Sequence, residues 1–201
     1  MSRLSILTAG VGGQGIITLA STLARAAVAN GTKALVAETH GLSQRGGSVE
    51  VHIRLGDVHA PLIAPGDADV ILGLELIEAA RRVSHLRSGG LLLAADTILR
   101  PAVPGVRVPS REELVSAMRM AAGDAKVVVV PARELASKVG GLLFSNMVML
   151  GALAGSGILE GFVGVEELER VIGTLRRREE NLKAFRLGLD YCSTHCSSGR
   201  G

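Results

Sequence analysis

Six residues, Gly10-Val11-Gly12-Gly13-Gln14-Gly15, limit what this chain can fold into more than any other stretch. They follow the apolar run 4–9 and precede Ile16, Ala20, Leu23, Ala24 and Ala27, which recur at helical spacing. A buried strand, a glycine turn and a helix in that order open a Rossmann-like sheet. Glycine there permits a tight turn, close approach of a ligand to the backbone, and close packing of helix on strand. Asn30-Gly31 supplies a helix stop and 34–37 a second strand ending at Glu38. Residues 1–38 therefore read as a βαβ unit.

The rhythm then breaks. Residues 39–47 form a polar, glycine-bearing loop, and in 48–55 Val49, Val51, Ile53 and Leu55 alternate with Glu50, His52 and Arg54. That period-two pattern predicts a strand with one wet face. Gly56-Asp57 predicts a turn into a partner over 58–63, which makes an antiparallel hairpin grafted onto the sheet. Strands follow at 69–74, 91–95 and 127–130, and helices at 75–86, with Ile77, Ala80 and Val83 inward, and at 132–138. Ser110-Arg111-Glu112-Glu113 resembles a capping box opening a helix that runs to about 122. The last third is helical, over 145–155, 165–175 and 179–189. The expected fold is α/β: a Rossmann-like, mostly parallel sheet flanked by helices, with an inserted β-hairpin and a helical C-terminal third. Residues 1–190 form one domain and 191–201 a disordered tail. Of the 201 residues 47% are hydrophobic but only 2% aromatic, so the core is built from Ala, Val, Leu and Ile, as parallel strands under helices require.

Several function classes fall away. The net charge is only +3, and the one basic run, Arg176-Arg177-Arg178, reads as a solvated helix face. With no Trp and one Tyr there is little to stack on bases, so no nucleic-acid partner is expected. The 21 residues of 139–159 carry no formal charge. Their glycines, Ser145, Asn146 and Ser156 suit a buried or partner-facing helix better than a membrane span. No secretory leader is expected, which points to the cytoplasm. The only cysteines, Cys192 and Cys196, provide no cluster framework. With His195 they could make a partial metal site, but a free thiol pair in a fraying tail is expected, and no metal. His52, His59 and His85 are scattered and expected to be exposed.

Two constellations remain. Gly10, Gly12, Gly13, Gln14 and Gly15, with the free N–H groups of a helix start, favour an anion. Glu38 lies 23 residues beyond Gly15, close to where a ribose-binding acid would stand. On these features a free-standing NAD-dependent oxidoreductase is a legitimate reading, as is a nucleotide-binding or structural module. The inserted hairpin and the small remainder of chain count against the first. The second constellation gathers Glu38, His40, Gln44, Arg45, Gly46, Gly47 and Ser48 after the carboxyl end of a strand, where open α/β sheets place their ligand crevice. His40 has the chemistry of a general acid or base and equally that of a hydrogen-bonding loop residue; Arg45 suits a carboxylate or phosphate. No nucleophile elbow, P-loop lysine or HExxH motif accompanies them.

Taken together, GVGGQG, ETHGLSQRGGSVEVHIRLG, PLIAPGDADVILGLELIEAAR, NMVMLGALAG and ENLKAFRLG resemble the gamma subunit or domain of 2-oxoacid:ferredoxin oxidoreductases over nearly the whole chain, above all the small subunits of the indolepyruvate enzymes. The resemblance implies a part in coenzyme A-dependent oxidative decarboxylation of a 2-oxoacid, with indolepyruvate or another aryl pyruvate favoured. It implies that thiamine diphosphate and iron–sulfur clusters sit on a large partner subunit, that ferredoxin is reached through that complex, and that this chain binds no cofactor itself. The isolated chain would pair, if at all, with a second copy. The two glycine-bearing loops would then form an interface near substrate or coenzyme A, with His40 and Arg45 as catalytic candidates.

Overall fold

The structure, a computed structural model, describes residues 3–40, 47–100 and 107–196, with the backbone alone at His40. Strand β1 (Arg3–Val11) runs into the glycine turn and helix α1 (Ile16–Ala29), followed by β2 (Ala34–His40) and β3 (Ser48–Gly56). Next come β4 (Ala68–Gly73), α2 (Leu76–Arg82), β5 (Leu86–Ala95), α3 (Arg111–Ala122), β6 (Lys126–Val130) and α4 (Ala132–Ser137). Helices α5 (Ser145–Gly155), α6 (Val165–Ile172) and α7 (Arg178–His195) complete the order. The α/β class, the largely parallel sheet and the helical last third are as expected.

The sheet order is β2-β3-β1-β4-β5-β6. Strands β1, β4, β5 and β6 pair in parallel, whereas β3 lies antiparallel between β1 and β2. The expected hairpin is therefore placed differently. β3 does not turn at Gly56 to pair with 58–63; it fills the gap between the two strands of the supposed βαβ unit. The cause lies on its polar face. Segment 58–63 crosses that face as a strap. Its Ile63 N–H donates to His52 Nδ1 at 3.1 Å, and Arg54 Nη1 donates to the carbonyls of Ala60 (3.4 Å) and Leu62 (3.2 Å). Side chains of β3 thus take the hydrogen bonds that a partner strand's backbone would have taken. The supposed wet face is covered, and His52, 4% exposed, is buried instead of solvated. His59 is exposed and His85 partly so.

Helices α1, α4, α5, α6 and α7 cover one face and α2 with α3 the other. Ile6, Ile53, Leu72 and Leu93 point into the first layer, Leu7, Ile71 and Leu92 into the second. Helix α2 is shorter than expected and turned by about one residue, burying Leu76 and Ala79, because Leu86 already belongs to β5. The capping box at α3 is present: Ser110 Oγ accepts from Glu113 N–H at 3.1 Å, and the Glu113 carboxylate accepts from Ser110 N–H at 2.7 Å.

The charge-free segment 139–159 holds α5, whose residues from Asn146 to Leu153 are all buried. No helix among the described residues is long and apolar enough to cross a membrane. Its partner is α7. A Cβ built on Gly151 would lie 1.9 Å from Phe185 O, and one on Gly188 equally close to Val148 O, so these glycines let two backbones touch. That packing draws α7 on to His195, through the first part of the expected tail; 197–201 lie outside the described residues. Cys192 and Cys196 are buried and joined in a disulfide rather than free.

Candidate functional site

The glycine turn stands at the carboxyl ends of β1 and β4, and its geometry explains each of its residues. Gly13 (φ 100°) and Gly15 (φ 77°) occupy the left-handed region, which disfavours side chains. A Cβ on Gly10 would meet Gln14 Oε1 at 2.7 Å. Gln14 is the brace of the turn: its Oε1 accepts from Val11 N–H at 2.7 Å and its Nε2 donates to Leu74 O at 2.8 Å. The amide suggested as a ligand contact is thus spent on tying β1 to β4. Helix α1 begins with no side-chain cap and no acidic residue in its first turn. Its leading N–H groups lack intrahelical acceptors and carry the positive end of the helix dipole. Asn146, buried on α5, donates from Nδ2 to Gly15 O at 3.2 Å and fixes the turn from behind.

The second loop meets the first at its root. Gly12 N–H donates to Gly47 O at 2.9 Å, and Ser48 pairs with Val11. Ser48 Oγ donates to Glu78 Oε2 at 2.5 Å. Gln44, Arg45 and Gly46 lie outside the described residues, as does the side chain of His40. Glu38 is exposed on β2 opposite Val51 of β3. Because β3 intervenes, β2 stands two strand spacings, roughly 10 Å, from β1. The acid is not beside the glycine turn as dinucleotide recognition requires.

Three cavities border Gly13. One of about 330 Å³ runs between Gln14, Leu74, Leu99, Leu143 and Met149 and has no charged residue among the described residues of its lining. A second of about 330 Å³ is walled by Gly15, Thr18, Asn146, Arg176, Arg177 and Asn181. The third, about 320 Å³, lies between Gly12, the start of α1 and Val49. Arg176, Arg177 and Arg178 are all exposed, as a solvated run would be, but Arg176 and Arg177 precede α7 and line this cavity beside the glycine turn, which the sequence did not disclose. Arg177 alone among the described non-glycine residues has positive φ, 59°. Asn181 Nδ2 donates to the carbonyls of Arg176 (2.9 Å) and Arg177 (3.1 Å), and the Arg177 guanidinium sits 5.3 Å from the centre of the Phe144 ring. Its Nε is also 3.3 Å from Glu180 Oε1. Arg176 has no ion-pair partner among the described residues. Its position just before α7, rather than along the polar face of that helix, was the available clue.

Two carboxylates behind the site are displaced from their ordinary pKa in opposite directions. The His52 N–H, and then the Arg82 charge, hold Glu50 below its ordinary value against the opposing effect of burial. Burial pushes Glu75 up, opposed by the N–H groups of Glu78 and Leu99 that its oxygens accept. No cluster of three or more metal-ligating side chains occurs among the described residues.

The family model described as pyruvate ferredoxin/flavodoxin oxidoreductase matches residues 5–191. The indolepyruvate oxidoreductase subunit IorB of Archaeoglobus fulgidus is 41% identical, with 92% of this chain and 94% of that protein covered. Among solved structures, the gamma subunit of a keto/oxoacid ferredoxin oxidoreductase from Geobacter sulfurreducens superposes with a TM-score of 0.71 at 24% identity, covering 95% of this chain and 99% of its own. The 2-oxoglutarate:ferredoxin oxidoreductase of Magnetococcus marinus contains the same fold within a larger chain: the TM-score is 0.72 at 20% identity, over 96% of this chain and 32% of that one. These two likenesses concern the fold.

Proposed function

The chain belongs to the pyruvate ferredoxin/flavodoxin oxidoreductase family, and from that premise we propose that it is the small, cluster-free subunit of a cytoplasmic 2-oxoacid:ferredoxin oxidoreductase acting on indolepyruvate or a related aryl pyruvate. In the assembled enzyme a 2-oxoacid, coenzyme A and two oxidised ferredoxins give acyl-CoA, CO2, two reduced ferredoxins and a proton. Thiamine diphosphate supplies the carbanion chemistry and iron–sulfur clusters the electron path, both on a large partner subunit. The chain has two cysteines, bonded to each other, and so no thiolate set for a cluster.

The observation that carries this reading is the meeting of two unlike cavities at Gly13. Among the described residues one has an uncharged, leucine-rich lining; the other presents Arg176, Arg177 and the open start of α1. Such a pair suits a ligand with an anionic end and a neutral arm, which is the form of coenzyme A. Here this chain's residues bind and orient. The amides and guanidinium groups hold phosphate, the leucines exclude water from the arm, and the large subunit does the chemistry. By side-chain chemistry alone, His40, Gln44 and Arg45 are further candidate contacts for the same ligand. The displacement of Glu38 by β3 speaks against a nicotinamide enzyme.

The test is reconstitution with the large subunit. Coenzyme A- and indolepyruvate-dependent reduction of ferredoxin is expected, and Arg176→Ala should raise the KM for coenzyme A about tenfold with the complex intact. Hydride transfer to NAD by the chain alone would refute the reading; an unchanged KM would remove Arg176 from the site.

A further inference from the structure

Between β3 and α2 lies a buried chain of polar groups that nothing above employs. Its inner end is His52. Because Nδ1 accepts the Ile63 N–H, the ring proton resides on Nε2 and is given to Glu50 Oε1 at 2.8 Å. Glu50 also pairs with Arg82, whose Nη2 lies 3.5 Å from Ser48 Oγ. The Ser48 proton goes to Glu78 Oε2 at 2.5 Å, and Glu78 Oε1 is held by Arg81 at 2.7 Å. Two carboxylates and two guanidinium groups balance. A charge cluster of this kind, buried at His52 and Glu78 and open to water at Arg81, is a weak source of stability but can fix relative position.

What the cluster fixes is visible at its outer end. Ser48 stands between Gly47, whose carbonyl takes the Gly12 N–H at 2.9 Å, and Val49, which walls the cavity formed by Gly12, Gly13 and the start of α1. In a strand, neighbouring side chains point to opposite faces. Anchoring Ser48 to α2 on one face therefore sets Val49 on the other and Gly47 against the glycine turn. The hydroxyl is not a nucleophile here, since its proton is committed to Glu78 and the His52 ring faces Glu50.

We propose that Ser48 is a positioning residue: its hydroxyl, held between Glu78 and Arg82, locks Val49 as the outer wall of the glycine-turn cavity and Gly47 against Gly12 beside it. This rests on the reading that coenzyme A meets the chain at that turn. The wall itself can be tested without any ligand. In the complete chain Ser48→Ala should speed hydrogen exchange at the Gly12 amide severalfold while leaving the melting temperature and assembly with the large subunit unchanged, and Ser48→Thr should restore slow exchange. In the reconstituted enzyme Ser48→Ala should raise the KM for coenzyme A about tenfold, with kcat and the KM for the 2-oxoacid close to wild type and Thr rescuing. Unchanged exchange at Gly12 would overturn the proposal, as would a loss of melting temperature and of every kinetic constant together that Thr does not repair. Altered exchange with an unaltered KM would instead keep the wall and reject coenzyme A as what it encloses.

Discussion

Glu50 and Glu75 show how much of the chain's behaviour is decided by single carboxylates that composition alone would place at the surface. Glu50 sits in the polar run of β3, and nothing in the run says that a strap will cover it. Once covered, its ionised form is held by the His52 N–H and by Arg82. A carboxyl held below its ordinary value contributes stability above the unfolded-state pKa, and that contribution is lost as pH falls through the lower folded-state value. Glu75 runs the other way: burial raises it, so its contribution declines as pH rises through the raised value. Glu50→Gln should therefore cost on the order of 1 kcal/mol near neutrality and flatten the acid limb of a plot of urea midpoint against pH. A variant whose midpoint falls with acid as steeply as the wild type would show that Glu50 is not the group responsible. The arginines at the glycine turn were equally illegible as site residues. A run of three reads much the same on a helix face and at a cavity wall; the placement of 176–177 ahead of α7 is the one hint, and the fold, which brings them beside residues 13–15, decides it.

Elements were legible where the signal is local. The glycine turn, the Ser110 capping box and the apolar stripe of α1 each encode their own structure, and the structure follows them. β3 was legible as a strand and illegible in its partners, because alternation specifies which side chains share a face and not which backbone lies alongside. The segment 58–63 carries enough apolar residues to pass for a strand, yet its backbone groups are taken up by His52 and Arg54. The α5–α7 pair lay between these cases: the glycines of 139–159 pointed to a buried or partner-facing helix, while Gly188, which closes the approach from the other helix, gave no signal by itself. Gly188→Ala places a methyl group where a backbone carbonyl already stands, and helix backbones cannot part without exposing Phe144 and Phe185. We expect a loss of about 3 kcal/mol or more in urea unfolding, although alanine is the better helix former. A loss under about 1 kcal/mol would mean that the two helices pack less closely than they do here.

For the molecule as a whole, apolar exposure is uneven. Ile17, Leu99, Leu142 and Leu143 are all large, all well exposed, and all at the end of the sheet that carries the glycine turn; Leu143 is 66% exposed. Isolated exposed leucines need no explanation, but a group of them around cavities does. Under the proposed function this end faces the large subunit. Leu143→Asp should then leave the urea midpoint of the isolated chain unchanged and weaken assembly at least about tenfold by titration calorimetry, whereas Met120→Asp, on α3 and 80% exposed, should change neither. Equal effects of the two would place the partner elsewhere.

The antiparallel strand in the middle of the order has a consequence for how the protein comes apart. β2 is an edge strand, and all its ladder bonds go to β3; none go to the rest of the sheet. Its attachment is thus conditional: whatever frees β3 frees β2 as well, while the reverse does not hold. β2 and β3 join the sheet only along β1, so release of β3 from β1 is expected to carry both strands in one cooperative step, once the ties of β3 to α2 and to segment 58–63 are broken. Gly47 and Ser48 stand at the glycine-turn end of β3, so that step would also part Gly47 from Gly12 and Val49 from the start of α1.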